Sequence, residues 1–270
     1  MKIFFASAVM LFVVLASVPA HAAALSLYDD FNGSNLDPTK WVGSEDGSQG
    51  REAFRAIKSH HLRLGYIGYC DTDSDNSDCI SNLALNFTDP DSVNAIQAVF
   101  SPLQGATVGC TTNPQPSFAG IELFGFYFNV AAPTAGSHVG DVRARIGVQR
   151  SSVSSDPAGT LRVSARVVQC TDDTCLNGTE LFGQDMGSIA VDANGANSTT
   201  LSMQWDPLND QFIFTRDATT VLGPYGVADD FPPGISNKRI HATVDVPSCT
   251  AATRPSALIQ AFIDDVMTAP

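Results

Sequence analysis

Alternation of apolar and polar residues with a period of two is the feature that most constrains this chain. His60, Leu62, Leu64 and Tyr66 alternate with His61, Arg63, Gly65 and Ile67. Val142, Ala144, Ile146 and Val148 alternate with Arg143, Arg145, Gly147 and Gln149. Leu161, Val163, Ala165 and Val167 do so with Arg162, Ser164 and Arg166. Such a period puts one apolar face on each strand. The turn sequence Asp156-Pro157-Ala158-Gly159 between the last two runs predicts a hairpin or meander. Further strands are expected at 82–87, 93–100, 119–130, 179–191, 199–205, 210–216, 240–246 and 257–267, separated by Gly, Pro, Asn and Asp turns. The acids agree, because only four of the 28 are Glu (Glu45, Glu52, Glu122 and Glu180), and Asp favours turns over helix. No fixed repeat period argues for a propeller or solenoid. The expected fold class is all-β: a jelly-roll β-sandwich of two antiparallel sheets, braced by disulfides.

The amino terminus predicts export. Lys2 precedes an apolar run from Ile3 to Val18, and Ala20-His21-Ala22 supplies the small residues of a cleavage site. Residues 1–22 are therefore expected to be a bacterial-type signal peptide, and 23–270 one β-sandwich domain, secreted or periplasmic. The run is short for a membrane span, so no membrane insertion is expected. Loss of Lys2 takes the formal charge from −13 to −14, a surface that repels nucleic acid and anionic membranes. Six cysteines in an exported chain imply three disulfides among 15 connectivities. Proximity pairs Cys70 with Cys79 and Cys170 with Cys175, which leaves Cys110 with Cys249. A zinc cluster is disfavoured, since no C-x-x-C pair occurs.

Both ends carry a family-level likeness. Leu27-Tyr28-Asp29-Asp30-Phe31-Asn32-Gly33 with Leu36 to Trp41 resembles the opening of the concanavalin A-like lectin/glucanase superfamily. Ala261-Phe262-Ile263-Asp264-Asp265-Val266 resembles its closing strand, and Leu201 to Pro207 with Phe212-Ile213-Phe214 resembles its Trp-Asp hairpin. The resemblance implies a sandwich whose last strand lies beside its first. It also raises the question of catalysis. Laminarinase-type members carry E-x-D-x-E or E-x-D-x-x-E on one strand, because retaining hydrolysis needs two carboxylates about 5–5.5 Å apart, and this sequence has neither spacing. Arg51-Glu52-Ala53-Phe54-Arg55 resembles the Arg-Glu strand of alginate lyases on the same fold, without its companion strands.

Several residues stand out as site candidates. Glu122 lies in an aromatic strand, where alternation groups it with Phe124, Phe126 and Phe128. An acid there could serve a sugar, or could pair with Arg143 or Arg145 in a core strand. Trp41, Trp205 and Tyr225, with Tyr66 and Tyr69, are candidates for stacking on a saccharide. Asp71, Asp73, Asp75 and Asp78 have spacing close to that of calcium loops, although Asn76 replaces the usual turn Gly. The resemblance adds a second calcium candidate, Asp30 with Asp264 or Asp265. The expected function is a noncatalytic, lectin-like exported protein that binds carbohydrate or a cell-surface component, with structural Ca2+. The alternatives are a diverged polysaccharide-cleaving glycosidase or lyase, and a structural extracellular protein without a small ligand.

Overall fold

The computed structural model describes residues 24–47, 51–190 and 197–270, so the expected signal peptide lies outside the described residues. Among the described residues, fifteen strands form two sheets, and every strand pairing in them is antiparallel. In chain order they are β1 (Ser26–Asp29), β2 (Trp41–Gly47), β3 (Arg51–Lys58), β4 (His61–Tyr69), β5 (Asp78–Phe87), β6 (Ala95–Val108), β7 (Phe118–Asn129) and β8 (Asp141–Ser151). There follow β9 (Thr160–Cys170), β10 (Gly178–Ala190), β11 (Thr199–Asp206), β12 (Gln211–Arg216), β13 (Thr219–Pro224), β14 (Lys238–Pro247) and β15 (Ser256–Ala269). One sheet runs β13-β12-β11-β6-β15-β4-β3, with β1 on the far end of β15; the other runs β10-β9-β8-β7-β14-β5-β2. No helix among the described residues is long and apolar enough to cross a membrane.

One core fills the space between the sheets. Leu62, Leu64, Tyr66, Ile96, Phe100 and Ile259 enter it from the eight-stranded sheet, and Ile121, Leu123, Ile146, Val163, Ile240 and Val244 from the seven-stranded sheet. Each set is the apolar half of an alternating strand, which is how a period-two sequence buries one face. The same alternation sends Glu122, Phe124, Arg143, Arg145, Arg166, Arg239 and His241 to the outer face of the seven-stranded sheet.

Three disulfides close the structure: Cys70–Cys79, Cys170–Cys175 and Cys110–Cys249. The first ties off the β4–β5 loop, and the last spans 139 positions. The strand β15 pairs with β1 through Ser26 and Thr268, so the ends lie side by side.

Local geometry corrects two details of the sequence reading. His60 is not a strand residue. Ser59 and His60 form the two-residue β3–β4 turn, both with φ positive, at 53° and 62°. This is the signature of a turn that usually carries Asn-Gly, and without those residues β3 gave no hairpin signal. Phe128 does not share a face with Glu122 either. The ladder between β7 and β8 shifts between Phe126 and Phe128, and the extra residue turns Phe128 into the main core.

Candidate functional site

Strand register assembles the outer face of the seven-stranded sheet from distant positions. Arg239 of β14 sits opposite Phe124 of β7, which faces Arg145 of β8, which faces Arg166 of β9. The adjacent row runs Ala84, His241, Glu122, Gly147, Ser164 and Asp185. Small residues at Ala84, Gly147 and Ser164 leave this second row low between larger neighbours. A Cβ on Gly147 would fall against Glu122 and the backbone of Ile121, so Gly147 is what lets the acid lie flat.

Glu122 is buried, with 7% of its surface exposed. One carboxylate oxygen lies 3.5 Å from Arg145 Nη1, and the other lies 3.3 Å from His241 Nε2. Of the two arginines expected as partners, Arg145 takes the role. Burial, reinforced by Arg239, Arg145 and Arg143, holds the His241 pKa well below its usual range, so the imidazole is neutral. The nearest carboxylate along the Glu122 row is Asp185, three strands away, about 14 Å at the usual strand spacing. It is engaged by Arg162. That separation exceeds the about 5–5.5 Å of a retaining pair and the about 6.5–9.5 Å of an inverting one.

A second aromatic–polar cluster lies where the two sheets meet at one end. Asn94 precedes β6, Tyr127 lies two residues before the end of β7, Trp205 one before the end of β11, and Lys238 begins β14. With Asp91, Asp229, Asp230 and Phe231 they line a cavity of about 360 Å³. Trp205 is half-buried and stacks on Phe128 at 5.5 Å. Its indole N–H donates to Tyr225 Oη at 3.3 Å, and Tyr225 in turn donates to Asp229. Tyr225 itself is buried against Phe128 and Phe212, so it fixes Trp205 and is covered from solvent. The Tyr127 hydroxyl is buried with no hydrogen-bond partner. Lys238 donates from Nζ to Pro90 O at 2.7 Å and lies 4.8 Å over the Tyr127 ring. Burial pushes its pKa down to about 8 against the opposing pull of Asp91 and Asp89. Position 127 gave no polar signal in sequence, because it reads as one more aromatic in a core strand.

The remaining candidates are placed as follows. Trp41 is buried among Tyr28, Phe31 and Phe87 and is a packing residue. Tyr66 is fully buried, and Tyr69 is exposed at the end of β4. In the acidic loop, Asp75 accepts hydrogen bonds from Thr112 Oγ1, Thr250 N and Thr250 Oγ1 at 2.6, 2.9 and 2.6 Å. These bonds hold its pKa low. Asp73 faces Arg254 at 3.7 Å, and Asp71 and Asp78 are exposed. Asp30 turns onto Asn32, while Asp264 faces His61 at 3.4 Å in a cavity of about 490 Å³ on the other sheet. Among the described residues, one group of three or more His, Cys, Asp or Glu ligand atoms converges: Asp75 with Cys110 and Cys249. Those sulfurs are bonded to each other. Among the described residues, neither Asp set brings carboxylate oxygens of three residues together. Arg55, from the lyase-like segment, reaches from β3 to the carbonyls of Ser44 and Ala84 and clasps the two sheets together.

No family model matches the sequence, and no curated protein matches it. Among solved structures, the chain is similar to a β-glucanase of Bacillus licheniformis, at 11% identity and TM-score 0.41, over 89% of this chain and 96% of that one. It is similar to LamAcat from Zobellia galactanivorans at 10% identity and TM-score 0.43, over 91% and 97%. It is also similar to the exoplasmic/lumenal domain of VIP36 in its Ca2+/Man2-bound form, at 10% identity and TM-score 0.38, over 89% of both chains.

Proposed function

We propose that this is an exported, noncatalytic β-sandwich protein that binds carbohydrate in the cavity beside Trp205. One observation carries the reading. The cavity sets the half-buried ring of Trp205 beside an amide at Asn94 and carboxylates at Asp91, Asp229 and Asp230, with Tyr127 and Lys238 in its wall at buried positions. An apolar ring face next to several hydrogen-bonding groups suits a sugar, which has an apolar C–H face and a rim of hydroxyls. Three disulfides support an oxidising compartment and so the exported location. Among the described residues, no second carboxylate at hydrolase spacing lies along the Glu122 row, which supports a role without hydrolysis.

The test is binding of the mature protein, residues 23–270, to a panel of neutral polysaccharides, with product release followed in parallel. Retention without cleavage, weakened about tenfold or more in Trp205→Ala through loss of one aromatic platform, is the expected result. Absence of retention, or equal retention by Trp205→Ala, overturns the assignment. Accumulation of shortened chains would return the protein to the enzyme class.

A further inference from the structure

The outer face of the seven-stranded sheet concentrates positive charge on a protein whose formal charge is −13. The guanidinium carbons of Arg143 and Arg239 lie 5.9 and 4.5 Å from the centroid of the Phe124 ring. Arg145 stands directly opposite Phe124 in the ladder. Like charges packed together and partly desolvated oppose folding, and here the opposition is visible at Arg143. Burial, then Arg145, lower its pKa, with Arg239 adding and with Glu122 and Asp172 opposing. Arg143 makes no hydrogen bond or ion pair among the described residues, and its Nε is buried without an acceptor. Its two nearest acids act on it only through space, since Glu122 is engaged by Arg145 and His241, and Asp172 accepts from Thr174 and Asn177.

We propose that Arg143, Arg145 and Arg239 form a second binding site, which takes an anionic group, carboxylate or sulfate, carried on a polysaccharide chain. Guanidinium groups suit both anions, because their fork of N–H donors matches two oxygens at once. The surroundings favour a polymer over a lone ion. From Arg145 the face continues into two cavities of about 300 and 340 Å³ that share Gln149, Arg162 and Arg166, the two arginines being ion-paired there with Asp156, Asp185 and Glu180. Beside them runs the low row of Gly147 and Ser164, across which an extended chain can lie. Nucleic acid fits less well, because base stacking needs exposed rings and Phe124 and Phe126 are only 3% and 4% exposed. The inference rests on the reading of the protein as a glycan binder, but it concerns a surface separate from the Trp205 cavity.

The experiment measures affinity of the mature protein for labelled polygalacturonate and dextran sulfate, with unsubstituted dextran and laminarin as neutral chains and single-stranded DNA as a non-glycan polyanion. Binding to both acidic glycans is expected to exceed binding to neutral chains, to weaken with salt, and to fall about tenfold in Arg143→Gln and in Arg239→Gln. That factor corresponds to loss of one charge-assisted hydrogen bond. Arg143→Lys should recover part of the loss by restoring charge, Lys58→Gln should bind like the parent, and Trp205→Ala should leave acidic-glycan binding intact. Thermal unfolding of each variant separates lost affinity from lost fold, and Arg239→Gln, at a half-buried position, serves if Arg143→Gln is unstable. Acidic chains that bind no better than neutral ones would overturn this site while leaving the Trp205 reading standing. Equal affinity for DNA, or equal competition by inorganic sulfate at matched ionic strength, would overturn the glycan assignment. Failure of every chain to bind would overturn this site, while the neutral panel decides the Trp205 reading separately.

Discussion

The indole N–H of Trp41 donates a 2.7 Å hydrogen bond to Oδ2 of Asp29, and this bond joins the two sheets. Asp29 ends β1 in the eight-stranded sheet, and Trp41 begins β2 at the edge of the seven-stranded one. The other oxygen of Asp29 accepts from Phe31 N at 2.9 Å. Replacing Trp41 by Phe removes a buried bond to a charged acceptor, so urea denaturation should show a loss of about 2 kcal/mol. Asp29→Ala leaves two buried donors unpaired and should cost more.

The β3–β4 turn offers a gain. Ser59 and His60 both hold left-handed backbone, which costs about 1 kcal/mol or more per residue without glycine or asparagine. The pair Ser59→Asn, His60→Gly should raise stability by about 1 kcal/mol. The net figure allows for the lost contact between His60 Nδ1 and Asn32 O. A thermal melt that falls below the parent's would show that this contact outweighs the turn.

Stability near neutral pH carries a cost at Asp245. Burial first, and then Asp78, raise its pKa to about 6 from an ordinary value of 3.8. Between those values the folded state holds more protons than the unfolded one, so this residue's contribution falls as pH rises through the window and is constant outside it. Asp245→Asn should therefore raise the melting temperature at pH 7.5 relative to the parent, with the gain disappearing by about pH 3.5. An equal gain at both pH values would mean that charge is not the cause.

The Cys110–Cys249 disulfide and Asp75 act together. Asp75 bonds to Thr112 and Thr250, each close in sequence to one of these cysteines. Closing a loop of 139 positions is worth about 5 kcal/mol in the chain-entropy estimate, against about 3 kcal/mol for the nine positions of Cys70–Cys79. Double Ser variants of the two pairs should rank in that order in denaturant. Asp75→Ala should lower the melting temperature, because it removes the shared acceptor of Thr112 and Thr250. Because Asp75 is already saturated by protein donors, added calcium should shift the melting temperature of neither the parent nor this variant.

Elements whose signal is local were legible in the order of residues alone. Leu62 to Tyr66, Val142 to Val148 and Leu161 to Val167 alternate regardless of what they pair with, and β4, β8 and β9 lie there. Six cysteines spaced as two near pairs and one remote pair led to the three bonds present. Strands without that local signal went unread. β2 holds Gly and charge, β3 follows a turn with no Asn-Gly, and β13 is six residues beginning Thr-Thr. The sites depended on tertiary structure. Arg143, Arg145 and Arg239 surround Phe124 only because β7, β8 and β14 pair in one register, and one inserted residue in β7 decided that Phe128 faces the core. The Trp205 cavity likewise draws on positions 94, 127, 205, 229 and 238. Register between strands far apart in the chain is set by how all the faces pack at once, and no single stretch of sequence contains it.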